Sequence, residues 1–469
     1  MPTRRNFLRL GGTAVVASVF SRYPLAWSQS PTVLTRYDAA TPDGKAMLVK
    51  LAKAVDAMAK KPEQDPLNWT SWWYTHDVRG DATKTSEIAR VFKNLPPQSS
   101  QIAERTWGTC QPHHAGDIED LFLPWHRYFV YSFERVVRAV IGDPNFTLPY
   151  WNYLDASSRA LPPEFLKPAD SVLKALFRPD RRPQVNQGST IDAGLRISPI
   201  NLDDLKYDDY STFCSSLEND LHGTVHVRVG NGRGMGSVPW AANDPIFWLH
   251  HCNIDRLWAS WNKDGGRNLA TQEFLNQSFS FVGPDSALAT FRVSDGLSTS
   301  QLNYQYSTLE KRPPKRLADT VAAFSSARAP KRVATDIKLG SATTKVTLKP
   351  DSGSAAIATF SGAAADSRSI ALVFKGLQTN VPPESLYDVF LNLPPNPTSA
   401  QEARHFAGRI NFFGALVHSD RNRKFVLNVS NLRNILKESA EPTITISPTD
   451  TPSAEAKPVI GEITLTALK

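Results

Sequence analysis

The sequence predicts a mainly α-helical region up to about residue 310, followed by a smaller region of antiparallel β-strands. Long stretches with apolar residues at helical spacing predict the first region. Short strand-like runs between turn residues predict the second. A basic, proline-rich segment at residues 311–316 separates the two patterns. With 469 residues, the chain is long enough to give each region its own hydrophobic core.

Two segments carry the strongest helix signal. From His126 to Val140, apolar residues recur at helical spacing and form one stripe. His126 lies on that stripe, so its imidazole is expected to point inward. A second helix is predicted to begin at Asp244-Pro245, a capping residue followed by proline at the first helical position, and to run through Trp261.

Short apolar runs follow residue 335, and Pro, Ser, Asn and Gly separate them. The runs lie at 346–348, 370–374, 387–391, 425–429, 444–446 and 463–465. This pattern is typical of an antiparallel β-sandwich. The predicted organisation is therefore a helical domain at 29–310, a linker at 311–335 and a β domain at 336–469.

The first 28 residues resemble a twin-arginine export signal. Arg4-Arg5 precede a short apolar run from Gly11 to Phe20, and small residues surround Ser28. Signals of this class export proteins that have already folded. The apolar run is too short for an ordinary transmembrane helix. We therefore expect a periplasmic or secreted protein without stable membrane insertion.

The charge balance gives no sign of a nucleic-acid partner. The formal net charge of +8 falls by four, to about +4, once Arg4, Arg5, Arg9 and Arg22 leave with the signal. The remaining charge is spread along the chain, whereas nucleic-acid binding needs a concentrated basic patch. Three cysteines cannot build a disulfide framework, so the core must supply the stability.

Histidines are concentrated in the helical region. Of the ten in the chain, eight lie between His76 and His251, and six of these are in apolar runs. A single histidine on an apolar face is usually a hydrogen-bonded core residue. Burying so many imidazoles without partners would cost about 1–3 kcal/mol each, and metal coordination would satisfy them together.

The spacing of the histidines and the missing residue types narrow the kind of metal site. His222 and His226 are at i and i+4, on one side of a helix, although the alternation from Thr224 to Val229 favours a strand. Metal coordination can override so weak a preference. No carboxylate or Cys-x-x-Cys pair completes the set, and all-imidazole sites suit copper, zinc, iron or nickel. One three-histidine zinc site would account for only half of the histidines in the apolar runs, so two three-histidine sites are predicted.

Three runs of residues resemble the type 3 copper proteins, the family of tyrosinases, polyphenol (catechol) oxidases and hemocyanins. They are Leu123-Pro124-Trp125-His126-Arg127, Leu221-His222-Gly223-Thr224-Val225-His226 and Asn243-Asp244-Pro245-Ile246-Phe247-Trp248-Leu249-His250-His251. The resemblance covers roughly residues 65–310. Within the family it points to the bacterial tyrosinases and catechol oxidases.

The resemblance implies a four-helix bundle around a pair of copper ions that activate O2. Carried across position by position, the first copper is bound by His76, His126 and either His113 or His114, and the second by His222, His226 and His251. In the family the second histidine of the His-His pair is the ligand, which makes His250 a buried neighbour. Glu134 and Asp255 match family positions and are expected to orient ligand histidines.

The middle ligand of the first site departs from the family pattern. The family places this histidine nine residues before the one in Pro-Trp-His, where this chain has Asp117. An insertion within residues 115–120 would reconcile the difference. Many relatives link a nearby cysteine to this histidine by a thioether, so the position of Cys110 favours His113 over His114. An ordinary buried thiol is the alternative for Cys110.

Three residues near the second site bear on the activity that the resemblance implies. Glu218 matches a glutamate of the plant enzymes that holds a water for deprotonating phenols. Gly223 stands where many monophenolases carry Asn, and Val238 stands where plant enzymes carry a bulky Phe over the substrate entrance. The C-terminal domain resembles the domain that shields the coppers of latent relatives, with Phe412 or Phe413 as the covering side chain. A purely structural β domain is the alternative.

The implied reaction is the oxidation of o-diphenols to o-quinones by O2, with ortho-hydroxylation of monophenols when Glu218 assists deprotonation. Oxidation of o-aminophenols is a close variant. A hemocyanin-like O2 carrier would use the same ligands behind a sealed pocket, and a zinc hydrolase would need only one of the two sites. The expected partner is a small phenolic substrate and a copper chaperone is a further candidate, while the oligomeric state is left open.

Overall fold

The computed structural model describes residues 33–112, 119–314, 331–350, 370–416, 423–439 and 441–467. In chain order the helices are α1 (Pro42–Ala59), α2 (Trp69–His76), α3 (Lys84–Val91), α4 (Gln101–Thr106), α5 (Phe122–Ile141), α6 (Pro183–Asn186), α7 (Tyr210–Leu217), α8 (Gly223–Val229), α9 (Val238–Ala241), α10 (Ile246–Lys263), α11 (Gln272–Leu275), α12 (Ser399–His405) and α13 (Arg433–Lys437). The export signal predicted at 1–28 lies outside the described residues. No helix within them is long and apolar enough to cross a membrane.

The strands are fewer before residue 310 than after it. In chain order they are β1 (Leu34–Arg36), β2 (Ser278–Val282), β3 (Leu288–Arg292), β4 (Tyr304–Tyr306), β5 (Lys331–Lys338), β6 (Thr344–Thr347), β7 (Lys349–Pro350), β8 (Ile370–Gln378), β9 (Tyr387–Leu391), β10 (Phe406–Ile410), β11 (Arg423–Asn428), β12 (Thr443–Pro448) and β13 (Val459–Ala467). The prediction of a mainly helical region followed by a sheet-containing region is confirmed.

The two strongest helix predictions are confirmed in α5 and α10. Helix α5 begins at Phe122, a turn earlier than predicted, and ends at Ile141, because the left-handed backbone of Gly142 (φ 66°) stops the helix. Helix α10 begins at Ile246, so Pro245 stands at the capping position and not at the first helical position that the sequence predicted. The backbone N–H of Ile246 donates to the Asp244 carboxylate at 3.1 Å. Both helices are buried along most of their length, so they form the centre of the helical region.

Buried ion pairs join α5 to α10. Arg127 of α5 donates to Asp255 of α10 at 2.5 Å, and Arg36 of β1 donates to Glu134 at 2.9 Å and to Asp255 at 3.2 Å. Removing one partner from such a pair costs about 3–5 kcal/mol, because the other charge stays buried. The prediction that Glu134 and Asp255 orient ligand histidines is therefore wrong. Their hydrogen bonds come from arginines, tyrosines and a backbone N–H that hold the elements together.

Each of the six strand-like runs of the C-terminal region lies in a strand or overlaps one. One sheet has the order β10-β9-β12-β6 and the other β11-β8-β13-β5-β7, and neighbouring strands in both are antiparallel. Val389 and Ile444 of the first sheet and Phe374 and Ile463 of the second belong to one buried core. Strand β5 begins at Lys331, so strand structure occupies the end of the segment predicted as a linker.

The C-terminal region packs against the helices. Leu386 and Phe413 belong to the buried core of the helical region. Arg228 of α8 donates to Asp450 at 3.0 Å. The side chain of Asn411 donates to a backbone carbonyl just before α8 at 2.7 Å. These contacts hold the loop after β10 close to α8.

Candidate metal centre

Four imidazoles gather where α8 meets α10. A π-helical turn, Glu218–His222, joins α7 to α8 and ends on His222, and His226 follows one turn later. The ring centroids of His222 and His226 are 4.6 Å apart, so the predicted helical placement is confirmed despite the strand-like alternation around them. His250 and His251 come from α10, and ligand atoms of all four residues lie within 4.8 Å of one another.

Hydrogen bonds fix the orientation of four histidine rings. The Nδ1 atom of each pairs with a backbone carbonyl oxygen: His76 with Val238 (3.2 Å), His126 with Phe122 (2.8 Å), His222 with Glu218 (3.0 Å) and His226 with Met235 (2.8 Å). Because a carbonyl oxygen only accepts, Nδ1 carries the proton and Nε2 keeps its lone pair. Rings held in this way are oriented to bind metal through Nε2.

Of the predicted ligands of the first copper, His76 and His126 lie within the described residues. His76 ends α2, and His126 lies near the start of α5, with ring centroids 5.8 Å apart. The sulfur of Cys110 lies 3.7 Å from Nε2 of His126, and ligand atoms of the three residues lie within 4.8 Å of one another. His113 and His114 lie outside the described residues. The choice between them, and the thioether to Cys110, therefore stay predictions.

The two groups adjoin at His126 and His251. The two rings stack, with centroids 4.4 Å apart and planes at 15°. His76 lies 6.4 Å from His251, and His222 lies 6.4 Å from His126, in each case between ring centroids. The fold thus brings five of the six predicted ligands into one cluster: His76, His126, His222, His226 and His251.

The cluster contains buried nitrogen atoms without hydrogen bonds. Nε2 of His250 and Nδ1 of His251 have no hydrogen-bond partner among the described residues, although both side chains are fully buried. Nδ1 of His250 pairs with the Tyr153 hydroxyl at 3.0 Å. An unpaired buried polar atom costs about 1–3 kcal/mol. The lone pairs of the ligand imidazoles, together with these unpaired buried nitrogens, fit a bound ion of copper, zinc, iron or nickel.

The environment keeps these imidazoles neutral. Burial lowers the pKa of His222, His250 and His251 well below the usual value, and the neighbouring imidazoles lower it further. The neutral ring is the form that binds metal. The cluster is therefore held in its ligand form at neutral pH.

Two phenylalanines that sequence reasoning did not single out line the cluster. Phe122 has ring centroids 4.6 Å from His126 and 4.7 Å from His222, and Phe247 lies 4.1 Å from His251. Each stands four residues before a predicted ligand on the same helix, so the i, i+4 spacing was a usable signal. Their rings exclude water from one side of the ligand imidazoles.

Of the two C-terminal residues predicted as a cover, Phe413 contacts the cluster. Its ring stacks on His226, with centroids 4.1 Å apart and planes at 14°. Phe412 instead packs in the core of the C-terminal region, 5.4 Å from the ring of Tyr387. Successive residues of the loop thus face opposite sides, and one of them reaches the histidines.

The three residues that were predicted to affect the activity, Glu218, Gly223 and Val238, are all buried. Glu218 is 4% exposed, and its backbone carbonyl holds a ligand histidine. Gly223 faces Asn411, since a Cβ atom at this position would lie 2.8 Å from Oδ1 of that side chain. Val238 is 6% exposed, and its carbonyl also holds a ligand histidine. The C-terminal region therefore covers the surroundings of Gly223.

Comparison with known proteins shows that most of the helical region matches one family model. A family model described as the common central domain of tyrosinase matches residues 66–190 and 178–264. A tyrosinase of Hahella sp. (strain CCB-MM4) is 31% identical over 288 residues, which are 54% of this chain and 59% of that protein. A chloroplastic polyphenol oxidase of Malus domestica is 26% identical over 426 residues, 80% of this chain and 67% of that protein. The chain thus spans between 59% and 67% of the length of these two relatives.

Among solved structures, that of latent apple tyrosinase is similar over nearly the whole chain. The TM-score is 0.62, at 21% identity, and the match covers 94% of this chain and 98% of that one. At this identity the likeness concerns the fold, a helical region followed by a sheet-containing region.

Proposed function

Because the chain belongs to the tyrosinase and polyphenol oxidase family of type 3 copper proteins, we propose that it oxidises o-diphenols to o-quinones with O2 at two copper ions. One observation carries the proposal. His126 of the first group stacks on His251 of the second at 4.4 Å, so metal ions bound by the two groups would be neighbours. Two copper ions held side by side supply the binding and reduction of O2.

We assign three imidazoles to each copper. The first takes His76, His113 and His126, and the second takes His222, His226 and His251. The carbonyl bonds at Nδ1 support four of these assignments, because they place the proton on Nδ1 and the lone pair on Nε2, the atom that would bind metal. His250 is left out of this assignment because the second histidine of the His-His pair is the ligand in the family that the sequence resembles.

The reaction is balanced by the stoichiometry of O2. An o-diphenol loses two electrons and two protons when it becomes an o-quinone. One O2 accepts four of each and forms two waters, so it converts two diphenols. The phenolic protons therefore end in water, and a base near the second group of histidines would carry them on the way.

Glu218 is the base that we assign to this task. Its carboxyl is buried on the π-helical turn that carries His222. A phenol must lose its proton to bind a metal well at neutral pH, and a carboxylate placed beside the ligand can accept that proton. With Glu218 acting on a monophenol, the same centre would hydroxylate the ring at the ortho carbon.

The C-terminal region is proposed to keep the enzyme latent. Phe413 covers His226, and Asn411 packs on Gly223, so both contacts lie where a substrate would approach the second group. In this proposal the catalytic domain spans 29–310, with a four-helix bundle formed by α2, α5, α8 and α10. The β domain at 336–469 is a sandwich that shields it, and trimming near residue 320 exposes the centre.

Two alternatives are not favoured. The matched relatives are named tyrosinase and polyphenol oxidase, which supports phenol oxidation over both o-aminophenol oxidation and O2 transport. A covered site is compatible with an O2 carrier, but a carrier would stay inactive after the cover is removed. The trimmed protein therefore separates the two functions.

Export by the twin-arginine route is proposed from Arg4-Arg5 and the apolar run behind them. Replacement of both arginines by lysine should retain the protein in the cytoplasm, and Arg22→Lys is the matched control. Export of the doubly substituted protein would contradict the proposal.

The experiment that tests the activity compares copper-loaded protein before and after trimming near residue 320. We expect quinone from catechol, at a higher rate after trimming, and two coppers per chain by metal analysis. Metal-free protein is the control. Two bound coppers without quinone from either sample would overturn the proposal and support the carrier.

A further inference from the structure

A glycine-rich loop, residues 230–236, follows α8 and returns to one of the predicted copper ligands. The backbone carbonyl of Met235 in this loop bonds Nδ1 of His226 at 2.8 Å. The loop is tightly closed, because a Cβ atom at Gly230 would lie 2.3 Å from the backbone nitrogen of Met235. The orientation of the His226 ring therefore depends on how this loop is held.

The helical region fixes the start of the loop, and a separate contact fixes α8. The backbone N–H of Asn231 donates to the carbonyl of Asp180 at 3.3 Å. Asp450 of the C-terminal region pairs with Arg228 of α8 at 3.0 Å. The helix that carries His226 is thus anchored independently of the middle of the loop.

Glu384 of the C-terminal region contacts the middle of the loop. Its Oε1 atom accepts the backbone N–H of Gly232 at 2.8 Å, and its backbone carbonyl accepts a hydrogen bond from the side chain of Arg182. The backbone of Glu384 is left-handed (φ 59°), a conformation that residues other than glycine seldom adopt and that surrounding contacts must maintain. Because both its backbone and its carboxylate are bonded to the helical region, Glu384 has a defined position over the loop.

We propose that Glu384 is a positioning residue for His226 and acts through the loop 230–236. Its carboxylate holds Gly232, and the closed loop in turn holds the Met235 carbonyl that keeps the proton of His226 on Nδ1. The orientation of the ring rests on these hydrogen bonds alone, whereas its consequence for the second copper rests on the proposed function. The C-terminal region then supports the second group of histidines as well as covering it.

A second carboxylate of the C-terminal region provides the control. Glu402 pairs with Arg196 and also joins the two regions, but Arg196 lies outside the loop 230–236. Glu402→Ala therefore removes a contact between the regions and leaves the contact between Glu384 and Gly232 in place. Glu384→Gln is the conservative variant, because the amide oxygen of glutamine can accept the same hydrogen bond.

Hydrogen exchange on the full-length, metal-free chain tests the contact itself. In Glu384→Ala the Gly232 amide should exchange about threefold to tenfold faster than in the wild type, which is the change that one hydrogen bond of ordinary net strength produces. Glu384→Gln and Glu402→Ala should exchange like the wild type. Equal exchange in the wild type and Glu384→Ala would overturn the inference.

The Nδ1–H proton of His226 reports on the ring. In metal-free protein labelled with ¹⁵N-histidine, this proton should exchange with water faster by a similar factor in Glu384→Ala, and Glu384→Gln should restore the slow exchange. His226→Gln identifies the signal by its loss. An unchanged His226 signal beside a loosened Gly232 amide would show that the loop does not transmit the contact, and would overturn the inference as well.

Copper-loaded protein extends the test to the second site. One of the two coppers should pass to a chelator about twofold to tenfold faster from Glu384→Ala than from the wild type or Glu384→Gln. If the His226 ring responds as expected but the loaded chain makes no quinone from catechol, the proposed function fails and the positioning role stands. If quinone forms and both coppers leave all three proteins at equal rates, the positioning role fails and the proposed function stands.

Discussion

The phenyl ring of Phe413 lies nearly parallel to the imidazole of His226, with centroids 4.1 Å apart and planes at 14°. Phe413 comes from the C-terminal region and His226 from α8, so this contact joins the β region directly to the histidine cluster. Aromatic pairs of this kind contribute about 0.5–1.5 kcal/mol beyond the area they bury. The cover over the cluster is therefore held in part by one replaceable side chain.

Phe413→Ala should raise the activity of the untrimmed, copper-loaded protein. Loss of the stacking weakens the cover by roughly 1.4 kcal/mol at most, so kcat/KM for catechol should rise by up to about tenfold. Phe412→Leu is the matched control, because that side chain faces the C-terminal core and its volume is nearly kept. An unchanged rate in Phe413→Ala, with the usual gain on trimming, would contradict the assignment of Phe413 as the cover.

Gly223→Ala should loosen the same cover from the other side. A Cβ atom would lie 2.8 Å from Oδ1 and 2.9 Å from Nδ2 of Asn411, so the amide must shift. We expect a loss of about 1–3 kcal/mol in the free energy of unfolding, measured in urea. The double variant with Asn411→Ala should lose less than the sum of the single variants, because the clash is removed. Strict additivity would show that the two positions do not interact.

Asp204→Asn should stabilise the protein at neutral pH. Asp204 lines a cavity of about 360 Å³ between the helical and C-terminal regions, which the cluster histidines do not line, and it is 4% exposed. Burial raises its pKa from 3.8 to about 6. The folded state then holds a proton that the unfolded state releases between these values, so the free energy of unfolding falls as pH rises through that range.

Removing the Asp204 carboxyl should reduce this pH dependence and raise the free energy of unfolding at pH 7. Asp220 lines the same cavity, and its pKa is raised by burial and by the charge of Asp204, so it should carry the pH dependence that remains. Urea unfolding at pH 4, 5, 6 and 7 measures it. Asp208→Asn is the control, because its side chain is mostly exposed in an ion pair with Arg312. A profile for Asp204→Asn as steep as the wild type would show that another group carries the pH dependence.

Tyr153→Phe should destabilise the protein without removing copper. The Tyr153 hydroxyl pairs with Nδ1 of His250 at 3.0 Å, and its loss leaves a buried nitrogen unpaired at a cost of about 1–3 kcal/mol. Thermal unfolding measures the stability, and metal analysis measures the copper. Two coppers should remain in both Tyr153→Phe and His250→Phe. Loss of one copper from His250→Phe would make His250 a ligand.

His113→Ala should cost one copper, and His114→Ala should cost none. The two substitutions are matched, since the residues are adjacent in the sequence and lose the same atoms. Metal analysis after copper loading separates them. Equal copper content in both variants would show that the assignment of His113 is wrong.

The sequence by itself predicted the features that depend on local order. Helix α10 starts directly after Asp244-Pro245, close to where its sequence indicates, because capping and proline signals act within one turn. The i, i+4 spacing placed His222 and His226 on one face, because helical geometry fixes that relation. The strands of the C-terminal region lie on or overlap the predicted apolar runs, because strand formation also depends on residues that are close in the sequence.

The tertiary structure decided the relations between distant parts of the chain. Glu134 and Asp255 were expected to orient histidines, but packing gave their hydrogen bonds to Arg36 and Arg127 instead. Adjacent phenylalanines of one loop are alike in sequence, and only the docking of the C-terminal region turns Phe413 toward the cluster. The stacking of His126 on His251 and the approach of Cys110 to His126 likewise arise where separate segments pack together. The periodicity of a sequence determines which residues share one face of a helix or strand. It carries no information on which helices, strands and loops pack against one another.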